Sequence, residues 1–352
     1  MSISLLQKKL RSKNLSGILF TNLHDDVPNP NIRYFLGAPA NGIVVIPAHK
    51  KQKPLLIVSP LEEVSSSASY TVRRYRSKKD LVVLLKKVLR GSRVGIDAAF
   101  CPAQTYLALK RLTKKKFVSV SELCSQLRAV KSPLEIRIMT HACRISDAIL
   151  KSCISRFASF STEKDVEAFL INETKKRGCE LAFPPIVASG THAACPHYHA
   201  KQAKLQRGFC VLDFGVRYKG YCTDTTRTIF IGTPTSNERA VYDQLRSAQE
   251  LLIVKSVPGV RCSALHNEAV KMLGPFAKYF IHSLGHGVGL EIHESPGVSS
   301  SSLAVLEKNM VITIEPGIYL PNKYGIRIED TLVVADRPQL LTRLSKELIV
   351  VD

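Results

Sequence analysis

The sequence predicts an α+β protein in which a smaller α/β domain precedes a larger domain made of two similar halves. Three observations predict this class. The 352 residues exceed one usual domain, the first third alternates apolar runs with a helical stretch, and the remainder repeats the order helix, helix, sheet. We therefore predict domains at residues 1–125 and 126–352.

Short apolar runs in the first third are typical of buried strands. They occupy residues 17–21, 42–47 and 54–59, and a helical pattern covers residues 80–90. The second domain opens at Ser132-Pro133-Leu134-Glu135, which predicts a capping box with proline at the first helical position.

The internal repeat is visible in the order of elements, although residue identity between the halves is low. In the first half, a long helix from Leu134 and a second helix at 161–170 are followed by Gly178 and then strands. In the second half, helices at 237–252 and 263–273 are followed by Gly274 and then strands. This order predicts an internally duplicated domain.

Composition predicts a cytoplasmic protein with no membrane partner. No apolar run approaches the roughly 20 residues of a membrane span, and the first residues lack the apolar core of a signal peptide. The nine cysteines are scattered and form no CxxC pair, which disfavours a disulfide framework or a cysteine-built zinc site.

The net charge of +21 is concentrated in the first third. Residues 1–125 hold 22 Lys and Arg against 7 Asp and Glu, a net charge of +15. The basic runs at 73–79 and 114–116 are accompanied neither by a pattern of stacking aromatics nor by a helix-turn-helix. We expect a solvated basic face and no specific nucleic-acid partner, with a surface for acidic partners as the alternative.

Each half ends in a hairpin that carries two acids. Asp213 and Asp224 are equidistant from a turn expected at Tyr218-Lys219, so they are expected to face each other across two strands. Glu315 and Glu329 are likewise equidistant from Asn322. Facing carboxylates repel each other, and their burial is costly.

Two divalent cations would neutralise these four carboxylates, and one carboxylate from each hairpin could bridge them. Oxygen ligands with a single imidazole favour ions such as Mn²⁺. The alternative is ordinary ion pairing with Arg217, Arg227 or Arg327. Four acids in matched pairs, with a glycine-flanked histidine between them in the sequence, favour the metal site.

Several ordered motifs resemble one family. Residues 130–352 resemble the catalytic domain of the pita-bread metallopeptidases, in the branch of aminopeptidase P and prolidase. The motifs are "LDFG…YCTDTTRT", "SGTHAACPHYH", "HSLGHGVGLEIHESP", "ITIEPGIY" and "GIRIEDT". The first third, with "NIRYFLG", is similar to the family's amino-terminal α/β domain.

The resemblance implies a role for each motif residue. The implied metal ligands are Asp213, Asp224, His286, Glu315 and Glu329, with Asp224 and Glu329 as bridges. The implied cofactor is two divalent ions, Mn²⁺ first, with Co²⁺, Fe²⁺ or Zn²⁺ as alternatives. A metal-bridging hydroxide would be the nucleophile and Glu315 its proton acceptor. Substrate binding and proton transfer would fall to His197, His282 and His293, and Arg327 would orient the metal carboxylates.

The resemblance also implies the substrate, a peptide with proline at its second position. Glu315 and Glu329 are fourteen residues apart, closer than in methionine aminopeptidases. Some prolidases carry an arginine where this chain has Gly297, which favours an Xaa-Pro aminopeptidase over the alternative, an Xaa-Pro dipeptidase. All five ligands are present, so a catalytically silent binding module is disfavoured. A homodimer is expected, because dimers are common among similar enzymes.

Overall fold

The chain folds into two compact units, Met1–Arg128 and Ala129–Asp352. This computed structural model describes residues 2–23, 29–50 and 52–352. No helix in these ranges combines the length and the hydropathy that a membrane span requires. All nine cysteines are free thiols.

The first unit is a six-stranded sheet with helices on both faces. Its helices are α1 (Ser2–Ser12), α2 (Pro30–Leu36), α3 (Lys78–Val88), α4 (Ala103–Thr113) and α5 (Ser121–Ala129). Its strands are β1 (Gly17–Asn22), β2 (Gly42–Pro47), β3 (Leu55–Val58), β4 (Thr71–Arg74), β5 (Arg93–Ile96) and β6 (Lys116–Ser119). The strand order is β4-β3-β2-β1-β5-β6, and β2 alone runs antiparallel to its neighbours. The domain boundary predicted between residues 125 and 126 falls inside α5.

Both faces of this sheet are buried, which explains why its strands are continuous apolar runs. Successive side chains of a strand point to opposite faces. Phe20 accordingly packs in the core with Leu6 of α1 and Leu123 of α5. Leu19 packs in the other core with Leu85 of α3 and further residues of α4.

The second unit contains four helices, each about as long as its apolar pattern predicts. They are α6 (Pro133–Ser155), α7 (Glu163–Lys176), α8 (Ser236–Lys255) and α9 (Cys262–Leu273). The capping box predicted at Ser132 and Glu135 is present, so that prediction is confirmed. Helices α7 and α8 begin with the same arrangement, at Thr162 and Thr235.

The strands of the second unit form two main sheets and two small ones. In chain order they are β7 (Glu180–Leu181), β8 (Ile186–Ser189), β9 (Gly208–Phe214), β10 (Val216–Tyr218), β11 (Tyr221–Cys222), β12 (Thr225–Ile231), β13 (Gly285–Gly287), β14 (Glu294–Val298), β15 (Val311–Ile314), β16 (Gly317–Leu320), β17 (Tyr324–Arg327), β18 (Asp330–Val333), β19 (Gln339–Leu340) and β20 (Val350–Val351). The main sheets have the orders β20-β12-β9-β8 and β14-β13-β15-β18-β19.

Each main sheet has its own pair of helices. One core joins α6 and α7 to β9 and β12, and another joins α8 and α9 to β15 and β18. The order helix, helix, sheet therefore occurs twice, as the sequence predicts. The acid-bearing hairpins leave these two sheets at β9–β12 and at β15–β18.

Candidate metal centre and active site

The first hairpin differs in register from the prediction. Asp213 of β9 lies opposite Thr226 of β12, so the prediction that it directly faces Asp224 is wrong. The turn is centred on Lys219 and Gly220, one residue later than predicted, and both have positive φ (50° and 87°). Two-residue hairpin turns of this kind need positive φ at both central positions, and glycine supplies one without strain. Asp224 precedes β12 by one residue and lies diagonally across from Asp213.

The second hairpin has the predicted register. The ladders of β15 with β18 and of β16 with β17 are both centred on Asn322. Glu315 and Glu329 lie in the gap between these two ladders. They therefore occupy facing positions, as their spacing predicts.

His286 lies between the two acid pairs because its strand, β13, packs closely on β15. A Cβ added to Gly285 would lie 2.0 Å from the carbonyl oxygen of Thr313, so only glycine allows this approach. The backbone N–H of His286 donates to Thr313 Oγ1 at 3.0 Å. Its ring Nε2 is 3.2 Å from Glu315 Oε1 and 3.5 Å from Asp224 Oδ2.

Carboxylate and imidazole atoms from both hairpins converge at one point. Ligand atoms of Asp224, His286 and Glu329 all lie within 4.8 Å of one another. Asp224 and Glu329 are 5% and 1% exposed. The structure thus brings together three of the five residues that the sequence predicts as ligands, and a fourth, Glu315, contacts the same imidazole.

The electrostatics of this cluster call for a cation. Burial, followed by repulsion from neighbouring carboxylates, raises the pKa values of Asp224 and Glu329 well above their ordinary range. Burial also acts on Glu315 and His286, but their mutual hydrogen bond and attraction outweigh it. The pKa of Glu315 is therefore lowered and that of His286 raised.

Two buried carboxylate oxygens give a direct test of whether a metal fits. Asp213 Oδ1 and Glu329 Oε1 have no hydrogen-bond partner within the described ranges. Buried acceptors of this kind are rare, because each lost partner costs about 1–3 kcal/mol. Unpartnered carboxylate oxygens beside an imidazole are the ligands that ions such as Mn²⁺ prefer. The residues present therefore fit a divalent cation.

Arg327 connects the acids to the histidines, and its side chain is buried. It donates to Asp213 Oδ2 at 2.6 Å, to Thr226 Oγ1 at 3.1 Å and to the Tyr319 hydroxyl at 2.7 Å. Thr226 in turn donates to Glu329 Oε2 at 2.8 Å. Arg327 thus orients both hairpins.

The other two arginines that could pair with the acids, Arg217 and Arg227, form no ion pair with any of the four. Arg227 pairs with Asp330 at 2.7 Å, and Arg217 donates to the carbonyl oxygen of Leu290 at 2.9 Å. The ion-pair alternative therefore accounts for Asp213 alone among the four acids.

Tyr319 is a site residue that sequence reasoning missed. Burial raises its pKa to about 12, so the phenol is protonated and can donate to His282 Nε2 at 3.0 Å. The Nδ1 of His282 is 2.8 Å from the carbonyl oxygen of Ser283 and therefore carries the proton. Both ring nitrogens of His282 are engaged, so its predicted contact with substrate stays a prediction.

The two remaining histidines are exposed. The His293 ring lies 4.3 Å from that of His286, edge to face. Burial and the neighbouring His286 lower the pKa of His293, and burial lowers that of His282, so both are neutral at pH 7. The charge of His197 contributes to both shifts, which places it near this group.

Glu163 is a second residue that the sequence did not single out. Its fully buried carboxylate accepts hydrogen bonds from the Ser189 N–H and hydroxyl at 3.0 and 2.9 Å, and from the Tyr198 hydroxyl at 2.8 Å. The Nδ1 of His192 lies 2.9 Å away. Glu163 therefore anchors both ends of the segment that carries His197. A glutamate in the first turn of a helix normally indicates only capping, so sequence alone gave no signal.

We expect Glu163→Ala to destabilise the protein by about 3 kcal/mol, because several buried donors would lose their acceptor. Urea unfolding of the metal-loaded protein measures this. Glu173→Ala on the same helix is the matched control, since its ion pairs with Lys176 and Arg177 lie at the surface. Equal unfolding midpoints for the two variants would contradict this role of Glu163.

Comparison with known proteins agrees with this geometry. The sequence model of metallopeptidase family M24 matches residues 137–336, and that of the creatinase/prolidase N-terminal domain matches residues 3–130. An Xaa-Pro dipeptidase of Pyrococcus horikoshii is 34% identical over 91% of this chain and 92% of its own length.

Solved structures match over nearly the whole chain. An Xaa-Pro dipeptidase from Bacillus anthracis aligns with a TM-score of 0.90 and 30% identity, covering 99% of each chain. An X-Pro aminopeptidase from Thermotoga maritima aligns with a TM-score of 0.87 and 29% identity, covering 100% of this chain and 99% of its own. The predicted fold and the resemblance read from the motifs are confirmed. The chain belongs to metallopeptidase family M24.

Proposed function

We propose that this protein is a metal-dependent Xaa-Pro dipeptidase, which hydrolyses the bond before proline in dipeptides. The observation that carries the proposal is the group of Asp224 and Glu329 with His286, which Glu315 also contacts, together with the unpartnered oxygens of Asp213 and Glu329. Two divalent cations, Mn²⁺ first, would bind at Asp213, Asp224, His286, Glu315 and Glu329.

The choice of dipeptidase corrects the preference drawn from Gly297. Two relatives from Pyrococcus, 34% and 33% identical, are both named Xaa-Pro dipeptidase. Both align with more than nine-tenths of this chain. They support the alternative better than the aminopeptidase favoured by the sequence alone.

Bound divalent cations would lower the pKa of water towards neutrality and polarise the scissile carbonyl. Glu315 is ionised at neutral pH and can take up the proton that the attacking water loses. Arg327 holds Asp213 Oδ2 by a charge-assisted hydrogen bond, while the other oxygen, Oδ1, has no hydrogen-bond partner among the described residues and would be available as a ligand.

The histidines outside the ligand set would serve the substrate. His293 is exposed beside His286 and can donate a hydrogen bond to the peptide carbonyl. His197 is exposed on the segment that Glu163 anchors and would bind the same substrate. His282 is fixed by Tyr319 and would serve first to hold that tyrosine against Arg327.

A substrate panel tests the proposal. With Mn²⁺ added, we expect hydrolysis of Ala-Pro with kcat/KM at least about tenfold above that of Ala-Pro-Ala, equivalent to about 1.4 kcal/mol. Ala-Ala serves as the control for proline specificity. Faster cleavage of Ala-Pro-Ala would favour an aminopeptidase, and no turnover of either proline peptide would contradict both.

One observation favours the aminopeptidase as the second candidate. Gly297 lies directly across from His286 in the ladder of β13 and β14, and it is exposed. A Cβ added there meets no atom within 4 Å. Glycine is therefore not required sterically, so the space around residue 297 does not explain the missing arginine.

This geometry makes Gly297→Arg a direct test of specificity. We expect the new guanidinium to attract the carboxylate of a dipeptide and to lower KM for Ala-Pro by about tenfold relative to Ala-Pro-Ala. Gly297→Gln is the control for side-chain bulk without charge. An equal effect of both substitutions would mean that residue 297 does not face the carboxylate of the substrate.

A further inference from the structure

The sheet of the first unit gathers the starts of its parallel strands along one edge. Strands β1, β3, β4, β5 and β6 all run in the same direction, so their first residues lie at the same end of the sheet. The turn from β2 to β3 lies there too, because β2 is antiparallel. Helices α1, α3 and α4 end at this edge, since each leads directly into β1, β5 or β6. We name it the strand-start edge.

The strand-start edge carries thirteen described lysines and arginines. They are Arg11, Lys13, Lys50, Lys53, Lys86, Lys87, Arg90, Arg93, Lys110, Arg111, Lys114, Lys115 and Lys116. All are exposed except Lys115, which is half-buried. Among the ion pairs of the described residues, none involves these side chains.

The acids of the same unit lie at the opposite end of the sheet. Glu62 and Glu63 follow the last residue of β3, and Asp97 follows that of β5. Asp80 and Glu122 lie in the first turns of α3 and α5, which begin after β4 and β6. Asp25 and Asp26 lie outside the described residues. The described acids are therefore confined to one end of the sheet, where they lie with the cations of residues 73–79, whereas the strand-start edge carries cations alone.

Helix stabilisation explains part of this pattern. Arg11 lies in the last turn of α1, Lys86 and Lys87 in that of α3, and Lys110 and Arg111 in that of α4, where cations are favourable. The other cations lie in turns or at the first residues of strands. Arg93 and Lys116 are direct neighbours in the β5–β6 ladder. Like charges in this position destabilise a sheet, so an external anion would relieve the repulsion.

We propose that the strand-start edge binds the phosphate backbone of nucleic acid without sequence preference. Six strands about 4.8 Å apart extend over roughly 24 Å. A duplex presents one negative charge per about 1.7 Å, or about 14 phosphates over that length. The number of cations and the number of phosphates thus correspond.

The surroundings of the cations favour this partner over the alternatives. The loops at 13–16, 48–54, 89–92 and 114–115 contain no Phe, Tyr or Trp on which a base could stack. These loops therefore offer contacts to phosphates and no stacking contacts to bases. A membrane-binding surface would need apolar side chains to insert. Among the leucines beside the cations, Leu15, Leu89 and Leu109 are instead buried, and Leu112 is half-buried.

Two variants with equal net charge test the proposal on the full chain. The edge variant combines Arg90→Gln, Arg93→Gln, Lys114→Gln and Lys116→Gln. The control variant removes four exposed cations from the opposite end, through Arg73→Gln, Arg76→Gln, Lys78→Gln and Lys79→Gln. Binding is followed by fluorescence anisotropy of a short labelled duplex of mixed sequence over a series of salt concentrations.

We expect the unaltered protein to bind the duplex at low salt, with an affinity that falls steeply as salt rises. The edge variant should bind at least about tenfold more weakly, with a salt slope shallower by up to about four, whereas the control variant should stay within about twofold. Ala-Pro hydrolysis should be unchanged in both. Equal weakening in both variants, or no binding at low salt, would overturn the proposal. So would edge-dependent binding of phosphatidylserine vesicles that exceeds binding of the duplex.

Discussion

Asp224→Asn is expected to reduce peptidase activity more than about 100-fold and, at the same time, to stabilise the metal-free protein. Loss of a ligand should cost more than the 10–100-fold typical of groups that only support ligands. The metal-free protein gains stability because the charged form of Asp224 is unfavourable there. Burial, followed by repulsion from Glu329, Asp213 and Glu315, raises its pKa. An amide of the same shape removes this repulsion, which we expect to stabilise the fold by about 1 kcal/mol or more at pH 7.

The pH dependence of this effect has a definite sign. A carboxyl group with a raised pKa in the folded state binds more protons folded than unfolded, so stability falls as pH rises through that window. The window begins near the ordinary value of 3.8 and extends upward to the raised pKa of Asp224. We therefore expect the stabilisation by Asp224→Asn in EDTA to be large at pH 7 and to shrink as pH falls.

Thermal unfolding in EDTA and in Mn²⁺ measures both effects. Asp336→Asn is the matched control, because the Asp336 side chain is 81% exposed and pairs with Lys308 at the surface. Its unfolding temperature should hardly change. A metal-free Asp224→Asn protein less stable than the unaltered one would mean that the carboxylates do not repel each other in the fold.

Arg327→Lys is expected to lower kcat by about 10–100-fold while the protein still folds. The guanidinium serves Asp213, Thr226 and Tyr319 at once, which a single ammonium cannot do. Lysine retains the charge, so the substitution tests geometry. Removal of the charge by Arg327→Ala should cost in addition about 3–5 kcal/mol of stability, because it leaves Asp213 without its buried partner.

Steady-state kinetics and metal content distinguish the outcomes for Arg327. We expect kcat to fall more than KM changes, since the contacts of Arg327 are with the acids and with Tyr319. Arg207→Lys is the control, because Arg207 makes a comparable two-point contact with Glu238 at the surface. Arg327→Lys with unaltered kcat and metal content would show that these hydrogen bonds do not orient the site.

The acid pairs illustrate what a linear sequence can predict. The spacing of Glu315 and Glu329 predicts their facing positions because the register is continuous across the gap between two ladders. The first hairpin was misplaced by one residue because Lys219 itself adopts positive φ and moves the turn. Asp224 nevertheless lies 3.5 Å from His286 Nε2, and the assignment of Asp213 and Asp224 as metal ligands stays a prediction.

Residues that act through distant contacts were not predictable. Tyr319 contacts His282, 37 residues away, and Glu163 contacts Tyr198, 35 residues away, so no local pattern marks them. The buried face of α6 shows the same limit. Leu134, the first residue of the predicted helix, is 58% exposed, whereas Met139 and Cys143 are fully buried. Which face is buried depends on the sheet and helices packed against it.

The distribution of charge in the first unit can be interpreted only once the order and direction of its strands are known. The sequence shows a net excess of cations and predicts a solvated face. Only the order and direction of the strands show that the described acids collect at the strand ends, together with the cations of residues 73–79, whereas the strand starts carry cations alone.

The amount of metal bound per chain measures most directly whether the carboxylates around His286 hold divalent cations. Purified protein equilibrated with Mn²⁺ and dialysed should retain about two equivalents, as carboxylate-rich two-metal hydrolases do. His286→Ala should lose most of this metal, because its Nε2 lies among the ligand oxygens. His293→Ala should retain the metal and lose mainly kcat. No retained metal in the unaltered protein, or equal retention by the two variants, would contradict a metal centre with His286 as its imidazole ligand.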